Sequence, residues 1–295
     1  MEVTMSRNSG AVLRLALPKG RMEAGVVRLF EEAGVTVQLG ARCYRPSVSL
    51  ESTETKRLKP QNIVEMLQGG SRDVGFAGAD WVAELDAALV EVLDTGLDPV
   101  QVVLAAPEPL IAADGGLPAR SLLLASEYER LTRSWITQAG RSDRFLRSYG
   151  ATEVLPPEDA DGIVDNTATG DTLRANGLKV IVEVMRSTTR MYASRQAMDC
   201  PQRRTRIEDL VLVLGSVLQA RERVMIEMNV SGERLDSLVA ALPCMRHPTV
   251  SSLHGEDGFA VKVAVPRSAL AILLPEIMAL GGRDVAVSRL SQLVT

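Results

Sequence analysis

A chain of 295 residues, 46 % hydrophobic and 24 % charged, can bury one to three packed cores and lacks the composition of a disordered segment. Its net charge of −4 means that bulk electrostatics do not favour nucleic acid or an anionic membrane. Cys43, Cys200 and Cys244 are odd in number and lack CxxC spacing, no apolar run reaches the ~18 residues of a membrane span, and MEVTMSRNSGAV is no secretory signal. The expectation is a cytoplasmic protein with reduced thiols, no nucleic-acid partner and no membrane partner.

LRLAL (13–17) reads as a strand ended by Pro18, Lys19 and Gly20, and the apolar spacing of Val26, Val27, Leu29, Phe30 and Ala33 predicts a helix stopped at Gly34. KPQNIVEMLQGG (59–70) carries proline at a helix start and glycine past its end. DVGFAG (73–78) is a buried-looking strand. The alternation predicts an α/β layered fold with a largely parallel sheet. It resumes with SLLLAS (121–126), then a helix opening on a Ser126–Glu129 capping box, and strands at GIVD (162–165) and LKVIVEVM (178–185). The second stretch is a second α/β lobe, and the proline-rich 105–118 is where the chain is expected to cross between lobes. After a long amphipathic helix over 203–223, residues 224–290 read β-α-β-β-α-β, the order of a split βαβ plait.

DNTATGDTL (165–173) stands between a strand end and a helix start, where backbone N–H groups and the positive end of the helix dipole are exposed. Thr167, Thr169 and Thr172 add hydroxyl donors, and Gly170 admits a ligand close to the backbone. Such a loop suits a phosphate ester, with Asp165 facing sugar hydroxyls or Mg²⁺. A surface turn with an N-cap is the alternative reading, and a P-loop is excluded because GxxxxGK[ST] is missing. LPKGR (17–21) sets Lys19 and Arg21 at a strand-to-helix switch, where polyanions bind in open α/β sheets, although basic residues at a helix start oppose its dipole. FAGADW (76–81) again puts a glycine and an acid past a strand. His247 and His254 have no third ligand nearby for zinc, and no GxSxG is present.

Together these stretches resemble the ATP phosphoribosyltransferases of histidine biosynthesis in their long, self-regulated form. LRLALPKGRMEAGVVRLFEEAG is similar to the family's opening, RDVGFAGADWV to its central strand and turn, and IVDNTATGDTLRANGL to its phosphoribosyl-pyrophosphate loop. STTRMYASRQA and GSVLQARERVMIEMNV resemble the return crossing and the entry to the third domain, and ALPCMRHPTVSSL and MALGGRDVAVSRL the regulatory domain. The resemblance implies a two-lobed core like a periplasmic binding protein: residues 1–105 with the returning segment 190–223, and residues 106–189. A ferredoxin-like, ACT-like domain would follow over 224–295. It implies transfer of the phosphoribosyl group to N1 of ATP with loss of pyrophosphate, Mg²⁺ held mainly by substrate phosphates, L-histidine as inhibitor, and a homohexamer or a dimer–hexamer equilibrium.

Carried onto this chain, the resemblance assigns Asp165, Asn166, Thr167, Ala168, Thr169, Gly170, Asp171 and Thr172 to the phosphoribosyl donor. Lys19, Gly20, Arg21, Asp80 and Glu153 go to the ATP or pyrophosphate side, and Asn229, Met245, His247 and Thr249 to histidine. It names no general base, and N1 of adenine is already nucleophilic. The chain departs from the family at Asn166, where an apolar residue is usual, at Ala168 for serine, and at Glu158 for glycine in a shortened EVLPPEDAD. SEYE (126–129) lacks the usual proline, and Asn229 often has an acid in its place. The alternative from another class is a non-catalytic two-lobed sensor of a small anion, or a silent subunit. Product formation from ATP and the donor discriminates them.

Overall fold

A computed structural model describes residues 12–40, 43–112, 115–243, 247–255 and 257–294. The chain divides into two compact units: the described parts of Met1–Arg28 with Val35–Asp209, and of Leu29–Gly34 with Leu210–Thr295.

The first unit opens with β1 (Leu13–Pro18), almost wholly buried, and α1 (Arg21–Glu32), whose last turn belongs to the second unit. A small ribbon of β2 (Val37–Gln38) and β3 (Ser47–Val48) precedes β4 (Thr53–Leu58). Next comes α2 (Pro60–Gln68), with Pro60 in its first turn, where the missing N–H costs nothing, and Ile63, Val64 and Leu67 turned into the core. The buried β5 (Val74–Gly78) runs into α3 (Ala79–Glu84), and β6 (Val90–Pro107) follows. β7 (Leu123–Ser126), α4 (Glu129–Gln138), β8 (Arg144–Arg147), β9 (Gly162–Thr167) and α5 (Asp171–Ala175) lead to β10 (Leu178–Ala193), α6 (Arg195–Asp199) and α7 (Pro201–Arg221), which belongs to the second unit from Leu210 onward.

One eight-stranded sheet joins them in the order β4-β1-β5-β10-β6-β9-β7-β8. The sheet is mixed, not largely parallel. β4, β1 and β5 are parallel, as are β8, β7 and β9, but β10 is antiparallel to both β5 and β6, and β6 to β9. The parallel triplets are the two lobes, and β6 and β10 are long enough to serve both. β10 pairs with β5 through Thr189–Ala193, whereas β6 pairs with β9 through Gln101–Ala105. The crossing therefore lies within two paired strands, near Leu97–Gln101 and Ser187–Thr189, and not in the proline-rich 105–118. Register shifts flank Ser187 and Thr189, where bulges bend a pair that would otherwise be straight. Thr95 Oγ1 donates to Thr189 O at 2.5 Å, and Arg190 pairs with Glu91 and Asp94 at 2.8 and 3.1 Å, so side chains hold the bent segment.

The second unit contains β11 (Arg223–Val230), α8 (Gly232–Ala241), β12 (Thr249–Ser252), β13 (Phe259–Pro266), α9 (Leu270–Ala279) and β14 (Arg283–Arg289), the expected β-α-β-β-α-β order. Its antiparallel sheet runs β12-β13-β11-β14. Val224, Ile226, Met228 and Val230 alternate inward along β11 and pack with Val261, Val263 and Val265 of β13, Leu238 of α8, and Leu273 and Ile277 of α9. Each such burial contributes about 1.5–3 kcal/mol before the entropy of ordering is subtracted.

Candidate active site

Both lobes direct their parallel strands at the crossing. Gly78, the last residue of β5, lies opposite Thr189 of β10, and Thr167, the last of β9, lies opposite Gln101 of β6. Gln101 in turn faces Arg186 on β10. The carboxyl ends of β5 and β9, which run in opposite directions, thus meet within three residues of each other along β10. A crevice at strand carboxyl ends is where open α/β sheets bind ligands.

On the first lobe, β1 ends beside β5, so Lys19, Gly20 and Arg21 share a sheet end with Asp80. The Lys19 Nζ stands 5.6 Å from the centre of the Tyr44 ring, and Arg57 donates to Glu23 at 2.6 Å. Arg21 is exposed on the first turn of α1. Asp80 behaves differently, being only 3 % exposed. Its carboxylate folds back over Gly78, where a Cβ would come within 2.1 Å of Oδ1, so only glycine fits. Its Oδ1 accepts from Ser187 Oγ at 2.6 Å, and Ser187 Oγ accepts from the Asp80 N–H at 3.1 Å.

From the second lobe, the phenol of Tyr128 donates to Asp80 Oδ2 at 2.6 Å and accepts from Asn166 Nδ2 at 2.9 Å. Burial and the Asp80 carboxylate push that phenol far above its usual range, so it stays protonated. Trp81 packs on the Tyr128 ring with centroids 4.7 Å apart. The Ser126–Glu129 capping box does not form. Ser126 Oγ accepts from the Tyr128 N–H at 2.8 Å, α4 starts at Glu129, and Glu129 pairs with Arg133 and Arg147. The N–H groups of Arg130 and Leu131 are instead accepted by the Glu84 carboxylate of α3, at 3.1 and 3.0 Å. A carboxylate from the other lobe therefore caps α4.

Asp165 lies near the carboxyl end of β9, and its Oδ1 accepts from the Asn166 N–H at 2.7 Å. Burial pushes its carboxyl up to about 6 against the pull of that N–H, with the charges of Glu153 and Glu127 adding to the rise. Glu153 sits on a short turn after β8 and is thereby brought close to Asp165. Ala168 and Thr169 are exposed, and Gly170 begins α5 with φ +78°, which its lack of a Cβ permits. The Gly170 N–H donates to Thr167 Oγ1 at 3.0 Å, Thr169 Oγ1 donates to Asp171 Oδ2 at 2.5 Å, and Asp171 also pairs with Arg174. Thr169 and Arg174 hold the Asp171 carboxyl below its usual range. Thr172 is exposed on the first turn of α5.

The structure thus joins Asp80 to Asn166 through Tyr128 and places Glu153 near Asp165, while Lys19, Gly20 and Arg21 form their own group on the first lobe. Tyr128, Ser187 and Glu84 were not singled out from the sequence. The one available signal was an aromatic residue just past a strand, in SEYE.

In the second unit, Asn229 of β11 and Thr249 of β12 lie on one face of the sheet but are separated by β13, with Asn229 opposite Ala260 and Thr249 opposite Lys262. Thr249 begins a strand where a loop position was expected, His247 is exposed before it, and Met245 lies outside the described residues. Asn229 Nδ2 donates to Asp284 Oδ2 at 3.0 Å. Among the described residues no three His, Cys, Asp or Glu side chains group as metal ligands, and no helix is long and apolar enough to cross a membrane.

Two lobes joined by a bulged strand pair, with a small-donor loop and basic residues at strand carboxyl ends, define a two-lobed α/β protein. The family model for HisG, ATP phosphoribosyltransferase, matches residues 59–216, and that for the HisG C-terminal domain matches 220–292. An ATP phosphoribosyltransferase of Pelotomaculum thermopropionicum is 34 % identical over 291 residues, covering 96 % of this chain and 99 % of the relative. One from Chlorobium luteolum is 33 % identical over 293 residues, with 97 % and 99 % covered. The fold is also that of a chain in the ATP phosphoribosyl transferase (HisG:HisZ) complex from Thermotoga maritima, with TM-score 0.62 at 24 % identity, covering 70 % of this chain and 98 % of that one. The chain belongs to the ATP phosphoribosyltransferase family, in the long form that carries the C-terminal domain. Its reaction is the first step of histidine biosynthesis, joining the phosphoribosyl group of phosphoribosyl pyrophosphate to ATP with a divalent cation.

Proposed function

We propose that the donor sits where β9 meets α5 and that ATP enters from the first lobe. Asp165 accepts hydrogen bonds from the ribose hydroxyls. The backbone and hydroxyls of Thr167, Ala168, Thr169, Gly170, Asp171 and Thr172 hold the 5-phosphate. Lys19, Gly20 and Arg21 face the triphosphate or the departing pyrophosphate, and Glu153 lines the crevice, while Asp80, expected on the ATP side, is buried behind it with its carboxylate bonded to Tyr128 and Ser187. The chain's task is to hold N1 of adenine in line with C1 of the ribose and to stabilise charge on the leaving group; no side chain need take a proton from N1. The cation is Mg²⁺, carried mainly by substrate phosphates, and it neutralises the leaving pyrophosphate. The chain up to the crossing near Leu97–Gln101, with the return over 189–223, acts as one catalytic lobe, the stretch between as the other, and 224–295 as the regulatory domain. Free L-histidine acts on that domain through Asn229, Met245, His247 and Thr249. The enzyme works in the cytoplasm as a homohexamer or a dimer–hexamer equilibrium.

What carries this reading is the convergence of β5 and β9 on the middle of β10. The test is to mix ATP, phosphoribosyl pyrophosphate and Mg²⁺ and follow the N1-substituted product by its ultraviolet absorbance. Product should form, and Asp165→Asn should raise the KM for the donor more than that for ATP. An unchanged donor KM would move the ribose elsewhere.

A further inference from the structure

The hydrogen bonds through the crossing have only one possible direction. The Asp80 carboxylate is an acceptor, so Tyr128 must spend its single phenolic proton on Oδ2 and Ser187 its hydroxyl proton on Oδ1. The Tyr128 oxygen then has only lone pairs left, and its remaining neighbour must be a donor. Asn166 supplies an amide N–H at 2.9 Å. The same Nδ2 lies 3.4 Å from Asp165 Oδ1, which also accepts the Asn166 N–H at 2.7 Å. Tyr128 is 0 % exposed, Ser187 2 % and Asp80 3 %, so water does not substitute for these partners. A chain of bonds thus runs from α3, through the bent part of β10, to the residue beside Asp165.

Resting on the assignment of Asp165 to the donor ribose, we propose that Asn166 does not bind the donor itself but is a positioning residue that ties the Asp165 carboxylate to the Asp80–Tyr128–Ser187 node at the crossing. With Oδ1 held by Asn166, Oδ2 is the oxygen left for the ribose hydroxyls. The position of the first lobe's α3 thereby sets the orientation of the carboxylate on the second lobe. An apolar side chain at 166 would leave the backbone N–H to hold Asp165 alone and would cut its tie to α3. An aspartate there would set a carboxylate against the Tyr128 lone pairs and against Asp165.

The experiment is a double-mutant cycle in the full-length enzyme, read as donor KM, ATP KM and kcat. Asn166→Leu should raise the donor KM on the order of tenfold, as expected for losing a hydrogen bond that supports a charged group, with ATP KM and melting temperature nearly unchanged. Tyr128→Phe should raise it similarly, and the double variant should be no worse than the worse single one, because both cut the same chain. Fold-changes that multiply in the double variant would overturn the proposal, as would an Asn166→Leu enzyme with wild-type donor KM. Asp165→Asn separates the two readings. If it leaves donor KM unchanged, the site assignment has failed; if it raises KM while Asn166→Leu does not, only the positioning role has.

Discussion

Thr172 and Thr169 differ in what they must give up to meet a phosphate. Thr169 Oγ1 already donates to Asp171, whereas Thr172 is exposed on the first turn of α5. Removing a hydroxyl that donates to a dianion costs about 1–3 kcal/mol. Thr172→Ala should therefore weaken donor binding by that amount, and Thr169→Ala by less, since it also releases an internal bond. Calorimetric titration of the donor, with ATP as control, checks both values. Asp165 offers a second test, through pH. Burial pushes its carboxyl up to about 6 in the folded protein, from an ordinary value of about 3.9 in an unfolded chain, so between these values the native state holds a proton that the unfolded state has lost. Stability must then fall as pH rises through that window and stay lowered above it. Asp165→Asn should raise stability at pH 7 by at most about 3 kcal/mol, and the gain should shrink at pH 5. Thermal melts of both proteins at the two pH values would reveal a constant gap if the burial of Asp165 is not what shifts it. Donor affinity of the wild type should weaken below about pH 6, where the acceptor is protonated.

At the scale of elements, α3 is only six residues long, yet it fastens the lobes at both of its ends, through Asp80 on Tyr128 and Glu84 on the start of α4. Glu84→Ala would leave two N–H groups of α4 without their acceptor and should lower stability by about 1–2 kcal/mol, visible as a melting shift of a few degrees. No shift would mean that water caps α4 equally well. Glu84 also shows where the sequence ceases to be readable. Strands and helices were legible because their signals are local: the run in β5, the Pro60 start of α2, the alternation along β11. The Ser126–Glu129 spacing suggests a capping box that does not form, because a partner 46 residues away leaves no local pattern. The proline-rich 105–118 suggests a crossing that lies elsewhere for a related reason. Proline and glycine mark chain breaks, but β6 and β10 cross by pairing with each other, and pairing is not written in either strand alone. At the site, the loop 165–173 and the pair Lys19 and Arg21 were legible as residue types at strand ends. The node of Asp80, Tyr128 and Ser187 was not, since Ser187 reaches Asp80 across 107 positions.

At the scale of the whole molecule, the question is how residues 224–295, which supply none of the proposed substrate contacts, would govern the reaction. The proposed effector residue Asn229 is uncharged, while an amino-acid effector carries an ammonium group that needs an anion. Asp284 supplies one. It stands at the start of β14, and its Oδ2 accepts from Asn229 Nδ2 at 3.0 Å. Asp284 has φ +51°, a left-handed conformation that aspartate tolerates better than most residues. An exposed carboxylate held by a neighbouring amide is a suitable acceptor for an ammonium, and a charge-assisted bond of this kind is the stronger sort. Free L-histidine should accordingly inhibit without competing with ATP, and because coupling free energies between sites are typically about 1–3 kcal/mol, inhibition should be partial or cooperative. Asp284→Asn should raise the histidine concentration for half-inhibition on the order of tenfold while kcat without histidine is unchanged, since the residue takes no part in the proposed crevice. Asn229→Ala should act in the same direction but more weakly, because it removes the carboxylate's support and not the charge. Inhibition that is competitive with ATP, or equally strong in Asp284→Asn, would place histidine in the substrate crevice and leave the second unit without this role.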